Sequence, residues 1–168
     1  MDNLIKKMQR NGVLIDTNIL ILLIIGLTDE RSIAKHKKLS AYSIEDFRLL
    51  VAILDSCKHI IASPHILAET SNLASRGLYG DMERRVFYAL KQVFSEQKFI
   101  EIHTNAVNVS NNEGYLKYGL SDVGLLETLK GEYVLLTDDF VLSGYAEKFK
   151  YDVLNFNHLR NGIFDAMK

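Results

Sequence analysis

One cysteine, one proline and no surplus of either charge sign mark this 168-residue chain, and each scarcity excludes something. Cys57 has no partner within the chain, which excludes an intramolecular disulfide framework and a multi-cysteine zinc site. A lone thiol fits a reducing cytosol. Pro64 is the only proline and no Gly/Ser-rich stretch divides the chain, so one domain is expected over residues 1–168. Lys and Arg number 20 against 21 Asp and Glu, so composition does not announce a strongly basic nucleic-acid binder. The longest apolar run, Val13 to Leu27, falls short of the ~20 residues of a membrane span. It also carries Asp16, Thr17 and Asn18, and an acid in lipid is costly. The start, MDNLIKKMQRNG, lacks the apolar segment of a signal peptide. A cytoplasmic protein with no membrane contact is expected.

What is present is the composition of a globular protein, 48% hydrophobic and 24% charged. Short apolar runs predict strands at Val13–Ile15, His59–Ala62, Phe99–Ile102, Tyr133–Leu136 and Tyr151–Leu154. Helical spacing lies between them. Residues 18–25 read as a buried helix beginning beside Asp16. From Ser43, the positions Ile44, Phe47, Leu50, Val51, Leu54 and Cys57 share one helical face, and Ser43 with Asp46 resembles a capping box. Ser63-Pro64 starts a helix running to about Arg76, with Gly77 as its stop. Further helices are expected over about Gly80–Gln97, from a Ser121 cap to Lys130, and over Phe140–Phe149. The stretch 104–117 reads as partly helical, and the tail as one more turn. Residues 28–42 read as polar and irregular, with the basic tract Lys35, His36, Lys37, Lys38.

Strands alternating with helices predict an α/β fold, a three-layer α/β/α sandwich around a central, mostly parallel sheet. Such sheets bind ligands outside the carboxyl ends of their strands. Asp16 ends the first strand, and Asp138 and Asp139 follow the fourth. Asp122 falls in the first turn of its helix, where the dipole favours negative charge. Glu69 lies at the edge of a stripe made by Ile66, Leu73 and Ala74. Each acid alone has an ordinary role as a cap or a solvated rim residue. Together they fit poorly with that, because Asp16 interrupts an apolar run and an unpaired buried carboxylate costs several kcal/mol. A set of carboxylates calls for cations, and hard divalent ions take oxygen ligands.

The segments LIDTNIL around Asp16, PHILAETSNL around Glu69, GLSDVGLLETL around Asp122 and VLLTDDF around Asp139 stand in a fixed order. In that order, over about residues 12–156, the chain resembles the PIN-domain family of metal-dependent ribonucleases. The resemblance implies a central parallel sheet between helices and an endonuclease that cuts single-stranded RNA with Mg²⁺ or Mn²⁺. It implies Asp16, Glu69, Asp122 and Asp139 as the catalytic metal ligands, direct or through water. The family pattern of Thr, any residue, then the acid points to Asp139 over Asp138. Alternation along an extended strand gives the same answer, with Asp138 left to cap the next helix through the Phe140 and Val141 amides. Asn18 and Thr137 would orient a carboxylate or water, with turn and cap roles as the alternative. The stretch from Thr28 to Tyr42 is longer than in the smallest family members, and a lid, a substrate contact and a partner surface are all open for it.

Setting the four ligands aside leaves 17 acidic side chains against 20 basic ones. Candidate phosphate contacts are Lys35, Lys37, Lys38, Arg84 and Arg85, each of which alone also fits a solvated face. The histidines show no zinc spacing; His65 and Glu69 stand four apart on one helix face, but the metal mechanism needs no imidazole. Tyr79, Tyr115 and Tyr118 are available to stack on bases. Candidate partners are single-stranded RNA, an antitoxin protein as for small stand-alone family members, and a second copy of the chain. Two other classes compete. A non-catalytic interaction module would keep the fold without the chemistry. A haloacid-dehalogenase-like phosphatase would want an acid two residues after Asp16, where Asn18 stands.

Overall fold

A computed structural model describes residues 2–166. Its centre is a five-stranded, all-parallel sheet built from β1 (Val13–Ile15), β2 (Ile60–Ala62), β3 (Phe99–Glu101), β4 (Val134–Thr137) and β5 (Val153–Asn155), in the order β3-β2-β1-β4-β5. Helices flank the sheet in a three-layer α/β/α sandwich. Pairing of Ile15 with Leu136 brings Asp16 and Thr137, the next residues along, side by side at the carboxyl ends of the two central strands. Strand order reverses between β1 and β4, and the crevice at such a point is where open α/β sheets place their ligands.

The helices are α1 (Asp2–Arg10), α2 (Thr17–Thr28), α3 (Ile44–Ser56), α4 (Pro64–Ala74), α5 (Asp81–Ser95), α6 (Ala106–Ser110), α7 (Tyr115–Leu129), α8 (Phe140–Lys148) and α9 (Phe156–Ala166). The apolar run forms β1 and α2. Because α2 packs against α3, α4 and α5, it is apolar nearly all round and buried from Ile19 through Gly26. Gly26 lets α3 approach closely, since a Cβ there would stand 2.2 Å from the Phe47 ring. The capping box of Ser43 and Asp46 is present in full, and Ser63 caps α4 ahead of Pro64. Among the described residues, no helix is long and apolar enough to cross a membrane.

Four local expectations are revised. α1 was not expected: only Leu4, Ile5 and Met8 are apolar in it, and its docking relies on buried Met8 and on Lys7, which pairs with Asp152 and donates to the Gly131 carbonyl at 2.6 Å. The helix that carries Asp122 begins just past Gly119, whose φ of 77° and ψ of −175° only glycine adopts without strain, so its start falls close to Ser121 as expected. What was not expected is that a helical segment from Tyr115 runs up to this break and makes one element, α7, with it. The tail is a helix of 11 residues, not one turn; Asn155 Oδ1 accepts from the Asn157 amide at 3.0 Å and Phe156 is fully buried. The stretch 28–42 holds a 3₁₀ helix, Glu30–Lys35, capped by Asp29, and is firmly seated rather than irregular throughout.

Candidate functional site

Asp16 is the N-cap of α2, its Oδ1 accepting from the Asn18 amide at 2.7 Å. Its other oxygen, Oδ2, accepts from the Thr137 hydroxyl across the β1–β4 junction. The residue is 6% exposed. Burial first, and then the nearby Asp138 charge, pushes its pKa up to about 7 against the two hydrogen bonds that favour the anion. Asn18 therefore serves two acids: its amide holds Asp16 and its side chain donates to Asp138 Oδ1 at 3.1 Å.

Glu69 projects from α4 and accepts from the Thr17 hydroxyl at 2.9 Å. Asp122 lies just past the Gly119 break in α7. Burial, then the charges of Asp139 and Glu69, raise its pKa to about 6. Asp139 caps α8, its Oδ1 accepting from the Val141 amide at 2.6 Å and the Leu142 amide at 3.0 Å. Asp16, Glu69, Asp122 and Asp139 all line one polar cleft of about 170 Å³, floored by Ile66, Leu125 and Leu142. Among the described residues, Lys38 is the only basic one lining it.

The expected division of labour at the fourth strand is corrected. Asp138 does not cap the following helix; Asp139 does. The reason is where the helix begins: with Phe140 as its first residue, the cap position is 139, and a cap carboxylate reaches the amides two and three residues on. Asp138 turns instead toward Asn18 and Tyr42, whose hydroxyl donates to its Oδ2. Burial, then that bond, raise the Tyr42 pKa, so the phenol stays protonated and acts as the donor.

Thr137 donates to Asp16 and accepts from the Asp139 amide at 3.0 Å, so both proposed supporting residues, Asn18 and Thr137, touch carboxylates. The basic candidates are scattered. Lys38 lines the cleft, whereas Lys35 and Lys37 are exposed outside it. Arg84 stands 3.9 Å from Asp81, and Arg85 donates to the Thr28 carbonyl at 2.7 Å, tying α5 to the end of α2; neither lines the cleft. His65 does not line it either. Two contributors had no motif to announce them. Thr17 holds Glu69, and Tyr42 holds Asp138. For Tyr42 the available signal was the three-residue spacing of Ile33, His36, Leu39 and Tyr42, all buried.

The acids surround a space rather than a point. Among the described residues, no three His, Cys, Asp or Glu side chains converge closely enough to clasp one ion as they stand. Two roomier grooves, of about 870 and 690 Å³, are lined mainly by apolar side chains. The larger lies at the amino ends of β2 and β3, against Ile60 and Phe99, away from the carboxylates. The four candidate acids line the smaller cleft and neither of these grooves. No protein-family model, curated protein or solved structure matches the chain.

Proposed function

We propose that the protein is a divalent-metal-dependent endoribonuclease acting on single-stranded RNA, with Asp16, Glu69, Asp122 and Asp139 as the groups that hold Mg²⁺ or Mn²⁺. The observation that carries this reading is electrostatic. Four carboxylates from β1–α2, α4, α7 and β4–α8 line one cleft, and two have pKa values pushed up to about 7 and about 6. Burial first, and the neighbouring negative charge second, raise both, and a bound cation would relieve that cost; the donor set is all oxygen, which suits a hard divalent ion. The resemblance to the PIN-domain family supports the same reading.

An ion there would supply activation of water and neutralisation of charge at the phosphorus. The chain's own residues would do the rest. Thr137 and the Asn18 amide hold Asp16 in one rotamer, Thr17 holds Glu69, and the α8 amides hold Asp139. Bonds of this kind limit how far Asp16, Glu69 and Asp139 must move to meet an ion. Lys38, which lines the same cleft, would donate to a phosphate oxygen of the RNA backbone.

A second reading, a non-catalytic interaction module of the same fold, is favoured by the absence of a three-ligand convergence among the described residues. Incubation of a single-stranded RNA panel with Mn²⁺, with and without chelator, decides between them. Cleavage that a chelator abolishes and Asp16→Asn removes supports the ribonuclease. Cleavage that persists in excess chelator overturns the metal mechanism, and no cleavage of any RNA favours the module.

A further inference from the structure

The connection between α2 and α3 is pinned at every third residue. Ile33, His36, Leu39 and Tyr42 are buried while Lys35 and Lys37 face outward and Lys38 borders the cleft. Its last anchor reaches the edge of the site behind Asn18, where the Tyr42 hydroxyl donates to Oδ2 of Asp138 and Asn18 Nδ2 donates to Oδ1 at 3.1 Å. Asn157 Nδ2 donates to the Asp138 carbonyl at 2.7 Å, so the residue is held by backbone and side chain together. The carboxylate thus has a donor on each oxygen, and Asn18, whose amide donates to Asp16 and whose side chain donates to Asp138, holds the two acids beside one another.

The tyrosine is itself held, and from the far end of the chain. The Arg160 guanidinium lies 4.9 Å from the Tyr42 ring centre. It forks onto Asp46, with Nε 3.1 Å from Oδ1 and a terminal nitrogen 2.8 Å from Oδ2, and it also donates to the Ala41 carbonyl beside the tyrosine. The Phe156 ring packs at 6.1 Å on the same tyrosine. A bidentate arginine pair gives geometric definition as well as energy. The ring is thus located by α3 and α9, leaving its hydroxyl to define the position of Asp138.

We infer that Tyr42 is a positioning residue of the cation site, its hydroxyl holding the Asp138 carboxylate beside Asp16 while Arg160 and Phe156 hold its ring. The inference rests on the cation-site reading above but not on RNA as the substrate. Without the hydroxyl, the Asp138 carboxylate keeps only the Asn18 bond and is free to turn away from Asp16, and the cleft loses a negative charge standing just behind it.

Tyr42→Phe removes that hydroxyl and leaves the ring, so its Phe156 and Arg160 contacts persist. Mn²⁺ titration of the wild type, Tyr42→Phe, Asp138→Asn and the double variant gives the test, read by free Mn²⁺ in electron paramagnetic resonance and by metal-dependent melting temperature. Tyr88→Phe on α5 is the matched control. Tyr42→Phe is expected to lower Mn²⁺ affinity at least about tenfold, the usual cost of losing a partner behind a ligand. Asp138→Asn should lower it as much, and the double variant no further. Arg160→Lys, which keeps the charge but loses the fork, should move affinity in the same direction. Affinity of Tyr42→Phe within about twofold of wild type, or losses that multiply in the double variant, overturns the inference. Wild-type protein that binds Mn²⁺ with this tyrosine dependence but leaves RNA intact overturns the ribonuclease reading alone. Wild-type protein that binds no Mn²⁺ overturns both.

Discussion

The Thr17 hydroxyl lies 2.9 Å from Oε2 of Glu69 and ties the first turn of α2 to the middle of α4. Glu69 is exposed, so this bond selects the one rotamer that faces the cleft. Thr17→Val keeps the shape of the buried side chain and deletes the donor. Cleavage and Mn²⁺ affinity should fall about tenfold while the melting temperature stays near that of the wild type. Paired activity and melting measurements check this.

Asp139 caps α8 and lines the cleft, so its two roles separate by substitution. Asp139→Asn retains an oxygen for the Val141 and Leu142 amides and removes the charge, and should abolish activity with little loss of stability. Asp139→Ala removes both and should cost about 0.5–2 kcal/mol in addition. Denaturant melts of the two variants, beside their cleavage rates, test the separation.

The pH dependence of the metal-free protein follows from Asp16 and Asp122. Their folded pKa values, about 7 and about 6, exceed the ordinary 3.8. Between about pH 4 and pH 7 the folded protein therefore retains protons that the unfolded chain has released. Stability is greatest at the acid side of that window and falls as pH rises through it. Each tenfold gain in proton affinity on folding corresponds to about 1.4 kcal/mol for a fully buried group, and Asp122, partly exposed, contributes less. Saturating Mn²⁺ should flatten the slope by taking the place of the protons. Asp16→Asn should flatten it as well and raise metal-free stability at neutral pH. Melting temperatures from pH 5 to 8, with and without Mn²⁺, check the sign.

Much of this was legible in the sequence. Asp16 stood out because it broke an apolar run, and Ser43, Ser63 and Pro64 marked their helices because capping chemistry is local. The five strands were visible as short apolar runs because both faces of a parallel sheet are covered. What escaped detection depends on distant partners. α1 is held by an ion pair to Asp152, and α9 by Arg160 on Asp46, contacts 145 and 114 residues apart along the chain. Tyr42 and Asp138 likewise stand 96 residues apart, and the alternation rule could not tell which acid the turn would deliver to the cap.

The basic residues should separate in the same way. If RNA passes over the cleft, Lys38→Ala should reduce the salt slope of binding by about 0.7, the share of one phosphate on a single strand. Arg85→Ala should leave the slope alone and instead loosen the α5–α2 contact at Thr28. Binding measured across a salt series distinguishes the two.

Gly26 offers a check on the packing itself. Gly26→Ala would drive a methyl into the Phe47 ring, which is 5% exposed and has little room to yield. A loss of about 1–3 kcal/mol is expected in urea unfolding, since added volume in a filled core forces off-rotamer side chains.

The β1–β4 pairing also sets a timetable. Val13 meets Val134 in the sheet, and the Thr137–Asp16 bond spans 121 residues. Contacts of such separation form slowly, because the intervening chain must first be brought together. During synthesis β1 can lie against β2 early, but its other edge stays bare until β4 has emerged. The carboxylates that follow the two central strands therefore meet only once β4 is in place. A nascent or truncated product ending before β4 would carry an open strand edge in place of the cleft, a form liable to associate with other chains.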